Sequence, residues 1–121
     1  MKRSNFDRYI AESYGIEGDH PWGDTSHTVY RHPATKKWFA VAMNIPKRLL
    51  GIGGEEHIDA VNLKCDPMII PDLISEGTVH PAYHMNKTYW VTLPLDGSRD
   101  ENTVKWLLEI SFKLTDKRKK K

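Results

Sequence analysis

Two β-type runs, Thr25–Arg31 and Lys37–Asn44, are separated by only five residues, His32-Pro33-Ala34-Thr35-Lys36. A parallel pairing needs a crossover of a dozen or more residues, so a polar, proline-bearing link this short reads as an antiparallel hairpin. In the second run Trp38, Ala40 and Ala42 share one face, and Phe39, Val41 and Met43 share the other. A strand apolar on both faces belongs in the middle of a sheet or is covered on both sides.

The remaining elements arrange themselves around that hairpin. Before it, Phe6, Tyr9, Ile10, Ser13 and Tyr14 follow helical spacing. They predict a helix over about residues 4–14, opened by Ser4 with Asp7 in capping-box position and stopped by Gly15. Residues 18–24 read as loop. After the hairpin, residues 45–56 hold Pro46, Gly51, Gly53 and Gly54 and read as a long loop before a third strand, His57–Cys65. Asp66 as N-cap, Pro67 at the first turn and Gly77 just past the end frame a second helix. Pro71 removes an interior hydrogen bond and makes its start irregular, or moves that start to Pro71. Val79–Tyr83 and Thr88–Leu93 form a second strand pair around a polar turn. Asp96-Gly97-Ser98 turns the chain again. Asp100 caps a last helix with Val104, Leu107, Leu108, Ser111 and Leu114 on one face. The order α-β-β-β-α-β-β-α predicts an α+β, two-layer fold: a twisted, mostly antiparallel sheet with the helices on one face.

Charge narrows the function classes. The 121 residues carry a net +2, but Lys117 to Lys121 are all basic, which leaves residues 1–116 at −3. A globally basic nucleic-acid binder is excluded. One cysteine excludes an internal disulfide framework and a cysteine-based zinc cluster. No apolar run approaches the ~20 residues of a membrane helix, and the N-terminus lacks a signal-type apolar stretch. The expectation is a cytoplasmic single domain over 1–116 with a basic tail at 117–121, no membrane association, and a monomer rather than an obligate oligomer.

Residues able to carry chemistry are few. Cys65 precedes a helix N-terminus, where amides can lower a thiol pKa; a small buried strand-end side chain explains it as well. Six histidines are many for this length, but none stand in an HExxH arrangement, and His80 and His84 would lie ~13 Å apart on an extended strand. Gly51, Gly53 and Gly54 lack the Lys-Ser/Thr of a phosphate loop, and Glu55 and Glu56 read as solvated. No metal, cofactor or catalysis is expected.

Basic residues cluster more tellingly. Between Thr25 and Gly54 stand Arg31, Lys36, Lys37, Lys47 and Arg48, and no acid. Arg31, Lys36 and Lys37 bracket the first hairpin turn; Lys87 sits with Asn86 and His84 at the second, beside Tyr83, Tyr89 and Trp90. Such hairpins can grip a nucleic-acid backbone or simply blunt sheet edges. The tail complements the helix dipole and adds affinity for any polyanion.

Two segments, Val61-Asn62-Leu63-Lys64-Cys65-Asp66-Pro67 and Pro81-Ala82-Tyr83-His84-Met85-Asn86-Lys87-Thr88-Tyr89-Trp90, resemble the signature of the MmcQ/YjbR family of small bacterial proteins. The resemblance extends to His20-Pro21-Trp22-Gly23-Asp24, to Leu95-Asp96-Gly97 and to Ser111-Phe112; the loop 45–56 departs from it in being longer. It implies a CyaY-like or secretion-chaperone-like fold and a "double wing" of β-hairpins that binds double-stranded DNA. The motif positions it points to are Lys64, His84, Asn86, Lys87 and Trp90; Arg31, Lys36 and Lys37 are added from local charge alone. The alternative, by analogy with secretion chaperones, is a protein- or peptide-interaction module using the exposed sheet face, or an apolar groove, near Trp38 or Trp90.

Overall fold

A computed structural model describes residues 1–116; the basic tail 117–121 lies outside the described residues. Helix α1 (Arg3–Tyr14) leads into strands β1 (Thr28–Arg31) and β2 (Trp38–Pro46). A 3-10 turn (Lys47–Leu50), strand β3 (His57–Lys64) and helix α2 (Ile70–Ser75) follow. Strands β4 (His80–Pro81) and β5 (Trp90–Pro94) and helix α3 (Glu101–Thr115) complete the chain. The five strands form one sheet in the order β1-β2-β3-β5-β4, every neighbouring pair antiparallel. The expected element order and α+β class hold.

Side-chain alternation splits the sheet into two faces. One packs against the helices: Tyr30, Ala42, Val61, Leu63, Val91 and Leu93 meet Phe6 and Ile10 of α1, Ile70 and Leu73 of α2, and Val104, Leu107 and Leu108 of α3. The other carries a second cluster in which Met43, Ile45, Ile58 and Ala60 are buried under Leu50, with Ile52 and Tyr83 against them. β2, flanked by β1 and β3, is therefore covered on both sides, as its composition requires.

Local differences from the sequence reading have simple causes. Asp7 does not cap α1, whose N-cap is Lys2 without a side-chain bond; its carboxylate accepts the Tyr30 hydroxyl at 2.8 Å instead. α2 starts only at Ile70, with Pro71 in its first turn where the missing N–H costs nothing. β4 is two residues long because the chain leaves the sheet after Pro81. The loop after β2 is not featureless: Lys47 and Arg48 pair with Glu56 and Glu55 at 3.4 and 3.3 Å, so those glutamates are engaged rather than merely solvated. Asp100 caps α3 as expected, accepting from the amides of Asn102 and Thr103.

Two polar clamps position the functional face. A register shift between Tyr30 and Arg31 leaves Phe39 without a partner on β1, and β2 pairs with β3 only as far as Leu63. The fully buried Ser111 of α3 fills that gap. Its hydroxyl donates to the Phe39 carbonyl at 2.6 Å and accepts from the Lys64 amide at 2.8 Å. The second clamp holds the loop after β4. The Tyr83 amide donates to Thr92 Oγ1, the Thr92 hydroxyl donates to Asn62 Oδ1, and Asn62 Nδ2 donates to the Tyr83 carbonyl. Asn62 and Thr92 are buried polar residues whose side chains find their partners inside this ring, as burial demands.

Candidate functional site

The antiparallel ladder brings both hairpin loops to the same end of the sheet. Residues 32–37 leave β1 and enter β2 there, β3 ends there at Lys64, and β5 begins there at Trp90, the register partner of Lys64. Two hollows lie at this end, and Trp38 lines both.

The first is a cleft of about 460 Å³ walled by Lys37, Trp38, Lys64, Tyr89 and Trp90, with Pro67 and Leu114 at its margins. Cys65 also borders it, but that residue is 1% exposed, and burial pushes its thiol up, which leaves it a poor nucleophile. The second is a groove of about 460 Å³ floored by Val41, Met43 and Asn62. One wall is Trp22, Asp24 and His27; the other is Tyr83, His84 and Met85. Trp22 and Trp38 stand nearly perpendicular, 84° apart with centroids at 5.9 Å. Opposite them His84 stacks on Tyr83 at 3.9 Å and 15°. His84 holds φ 59°, a left-handed conformation unusual for a residue with a Cβ. The Asn62–Thr92 clamp on the preceding residue fixes that shape.

The eight residues named from sequence separate. Lys37, Lys64 and Trp90 meet in the cleft, and His84 lines the groove beside it. Asn86 shapes the loop: its side chain accepts from the Thr88 amide at 2.8 Å and its carbonyl from the Trp90 amide at 2.9 Å. Lys87 is exposed on that loop. Arg31 is drawn away from the cleft, paired with Asp19 at 3.0 Å while lying 5.8 Å over the Trp38 ring. Lys36 lines a different hollow, with Glu17 and Asp19. The acid-free window between Thr25 and Gly54 is thus less basic than it reads: Arg31, Lys47 and Arg48 each meet a carboxylate from outside it.

Sequence reasoning allowed an apolar groove near Trp38 but missed the wall that Trp22, Asp24 and His27 form. Its signal was Trp22, which is 57% exposed and satisfies no core. Asp24, which accepts both the amide and the hydroxyl of Ser26 on Oδ1, stood in a loop noted for its family resemblance and assigned no role. Those bonds hold its carboxyl below the usual carboxylate range. Among the described residues no group of three His, Cys, Asp or Glu side chains could hold a metal ion, and no helix is long and apolar enough to cross a membrane.

Fold and site together define a small α+β domain whose sheet is closed by helices on one side and carries, at its hairpin end, an aromatic, lysine-flanked surface. The chain belongs to the YjbR family, whose model matches residues 11–114. It is 34% identical to the uncharacterised protein YyaQ of Bacillus subtilis over 95% of this chain and 98% of that one. It is 31% identical to the uncharacterised protein YjbR of Escherichia coli K12 over 62% and 65% of the two chains. A crystal structure of a Pseudomonas syringae protein superposes with a TM-score of 0.91 at 37% identity, covering 95% of this chain and 99% of that one. A Deinococcus radiodurans protein shares the fold at a TM-score of 0.61 and 24% identity, covering 85% and 70% of the two chains.

Proposed function

We propose that this protein binds DNA through the cleft at the hairpin end of the sheet, as a cytoplasmic monomer, without catalysis, a cofactor or a membrane. The observation that carries this reading is the convergence of Lys37 and Lys64 on one cleft with Trp38, Tyr89 and Trp90. Lysines there neutralise phosphates, and the aromatic walls offer stacking surface. Lys87 and His84 extend the same surface along the second loop. The body of the domain is acidic, so affinity comes from this local arrangement and is modest, with Kd on the order of 10⁻⁴–10⁻⁶ M and a steep salt dependence. For the peptide-binding alternative the sheet face around Met43, Ile45 and Ile58 is buried, which leaves it the groove beside Trp38.

The test is anisotropy of labelled duplex and single-stranded DNA titrated with the full chain, at about 50 and 200 mM salt, the range over which phosphate contacts lose strength. The double variant Lys37→Glu/Lys64→Glu is expected to abolish binding while the far-UV spectrum is unchanged. Unaltered affinity in that variant would assign binding to the basic tail and refute the cleft.

A further inference from the structure

Phosphate contact by lysines serves a duplex and a single strand alike, and the groove beside the cleft distinguishes them. We propose that this groove, between Trp22 on one loop and His84 on the other, seats one unpaired nucleobase, so that the site takes single-stranded nucleic acid and prefers an amino-bearing base. The inference rests on the DNA-binding reading above and deepens it.

Three observations converge on it. The groove is concave and apolar-floored by Val41 and Met43, with aromatic rings on both walls, which suits a flat ring and offers nothing to the convex outside of a duplex. Trp22 is the most exposed tryptophan described. It is held against both His27 and Trp38, a cost in exposed apolar surface that folding does not require. The carboxylate lining the groove is Asp24, with His27 Nδ1 4.0 Å from its Oδ1. Both Ser26 bonds fall on Oδ1, leaving Oδ2 able to accept from an exocyclic amine. Cytosine, adenine and guanine carry such an amine; thymine has none, and its one donor on that edge, N3–H, stands between two carbonyl oxygens that a carboxylate repels.

The lysine cleft lies at the right separation for the same nucleotide. Asn62 on the groove floor and Lys64 on the cleft wall are two residues apart on one face of β3, about 7 Å. Trp38 lines both hollows. A base in the groove therefore places its phosphate toward Lys64 and Lys37.

The experiment compares labelled oligo-dC, oligo-dT and a duplex of equal length on the full chain at low salt, with Trp22→Ala and Asp24→Asn. Both substitutions fall on exposed loop positions, and the carboxamide that Asp24→Asn introduces keeps an oxygen for Ser26. Oligo-dC is expected to bind about tenfold tighter than the duplex, with Trp22→Ala losing about that factor, the order of one base–aromatic stack. Oligo-dC is also expected to exceed oligo-dT, and Asp24→Asn to erase or reverse that preference. A duplex that binds as tightly as oligo-dC, or a Trp22→Ala variant with unchanged affinity, overturns the groove inference while the lysine cleft stands. Equal binding of oligo-dC and oligo-dT overturns the role of Asp24. No binding to any DNA overturns both readings together.

Discussion

Replacing Ser111 with alanine removes one oxygen atom, yet it should be among the costliest small changes available in this chain. The hydroxyl is fully buried and joins three elements, donating to the Phe39 carbonyl of β2 and accepting from the Lys64 amide of β3 while riding on α3. Alanine leaves the buried Phe39 carbonyl and the part-buried Lys64 amide with no partner in the β2–β3 ladder. Each unsatisfied group costs about 1–3 kcal/mol, so the pair should cost roughly 2–6 kcal/mol. That is a large share of the roughly 5–15 kcal/mol that holds a domain folded. With a mid-range urea m-value of about 2 kcal/mol/M, the unfolding midpoint should fall by roughly 1–3 M. Amide exchange supplies a local readout. Lys64 N–H should lose protection in the variant, beyond the general loss, because its acceptor is gone. A midpoint shift below about 0.3 M, under 1 kcal/mol at such m-values, with Lys64 still protected, would refute the argument and mean that the strand end repairs itself.

Other outcomes follow from single contacts. Gly18→Ala should destabilise markedly, because a Cβ there would lie 2.3 Å from Thr28 Cγ2 and 2.9 Å from the Tyr30 ring; an unchanged thermal melt would contradict the close approach. Asn62→Ala should free the loop carrying Tyr83 and His84, costing about 1–3 kcal/mol for the unsatisfied Tyr83 carbonyl and raising backbone mobility at 83–89 by NMR relaxation. Unchanged relaxation there would show that the clamp does not hold the loop. Burial, and then the Arg99 guanidinium, hold the His80 imidazole below its ordinary 6.5. The unfolded chain therefore takes up that proton first, so this contribution to stability is complete above about pH 6.5 and is lost as pH falls toward the folded value. His80→Gln should flatten that slope in urea midpoints measured from mildly alkaline to mildly acidic pH, and an unaltered slope would assign it to other groups.

How much was legible beforehand differs by element. The hairpin Thr25–Arg31/Lys37–Asn44, the amphipathic α3 with its Asp100 cap and the single-sided packing of the helices all follow from spacing and local chemistry. They stand in the structure with ends moved by a few residues. The motif around Asn62 and Lys64 was visible as a pattern, but its division of labour was not. Asn62 is a clamp, Lys64 is a cleft wall, and Asn86 is a turn former. The first two roles depend on partners far along the chain.

Charge shows the same boundary. The window rich in Arg31, Lys47 and Arg48 reads as basic in one dimension. In three dimensions Asp19, Glu56 and Glu55 cancel it, since folding brings together residues that a window separates. The groove of Trp22, Trp38 and His84 is the extreme case: its walls come from loops some sixty residues apart. What the sequence determined by itself was the set of elements and which side of each is apolar, because periodicity of 2 or 3.6 residues is a local property. Only the tertiary structure decided which side chains share a hollow and which charges survive, because those depend on strand order and register, and neither is written within any one segment.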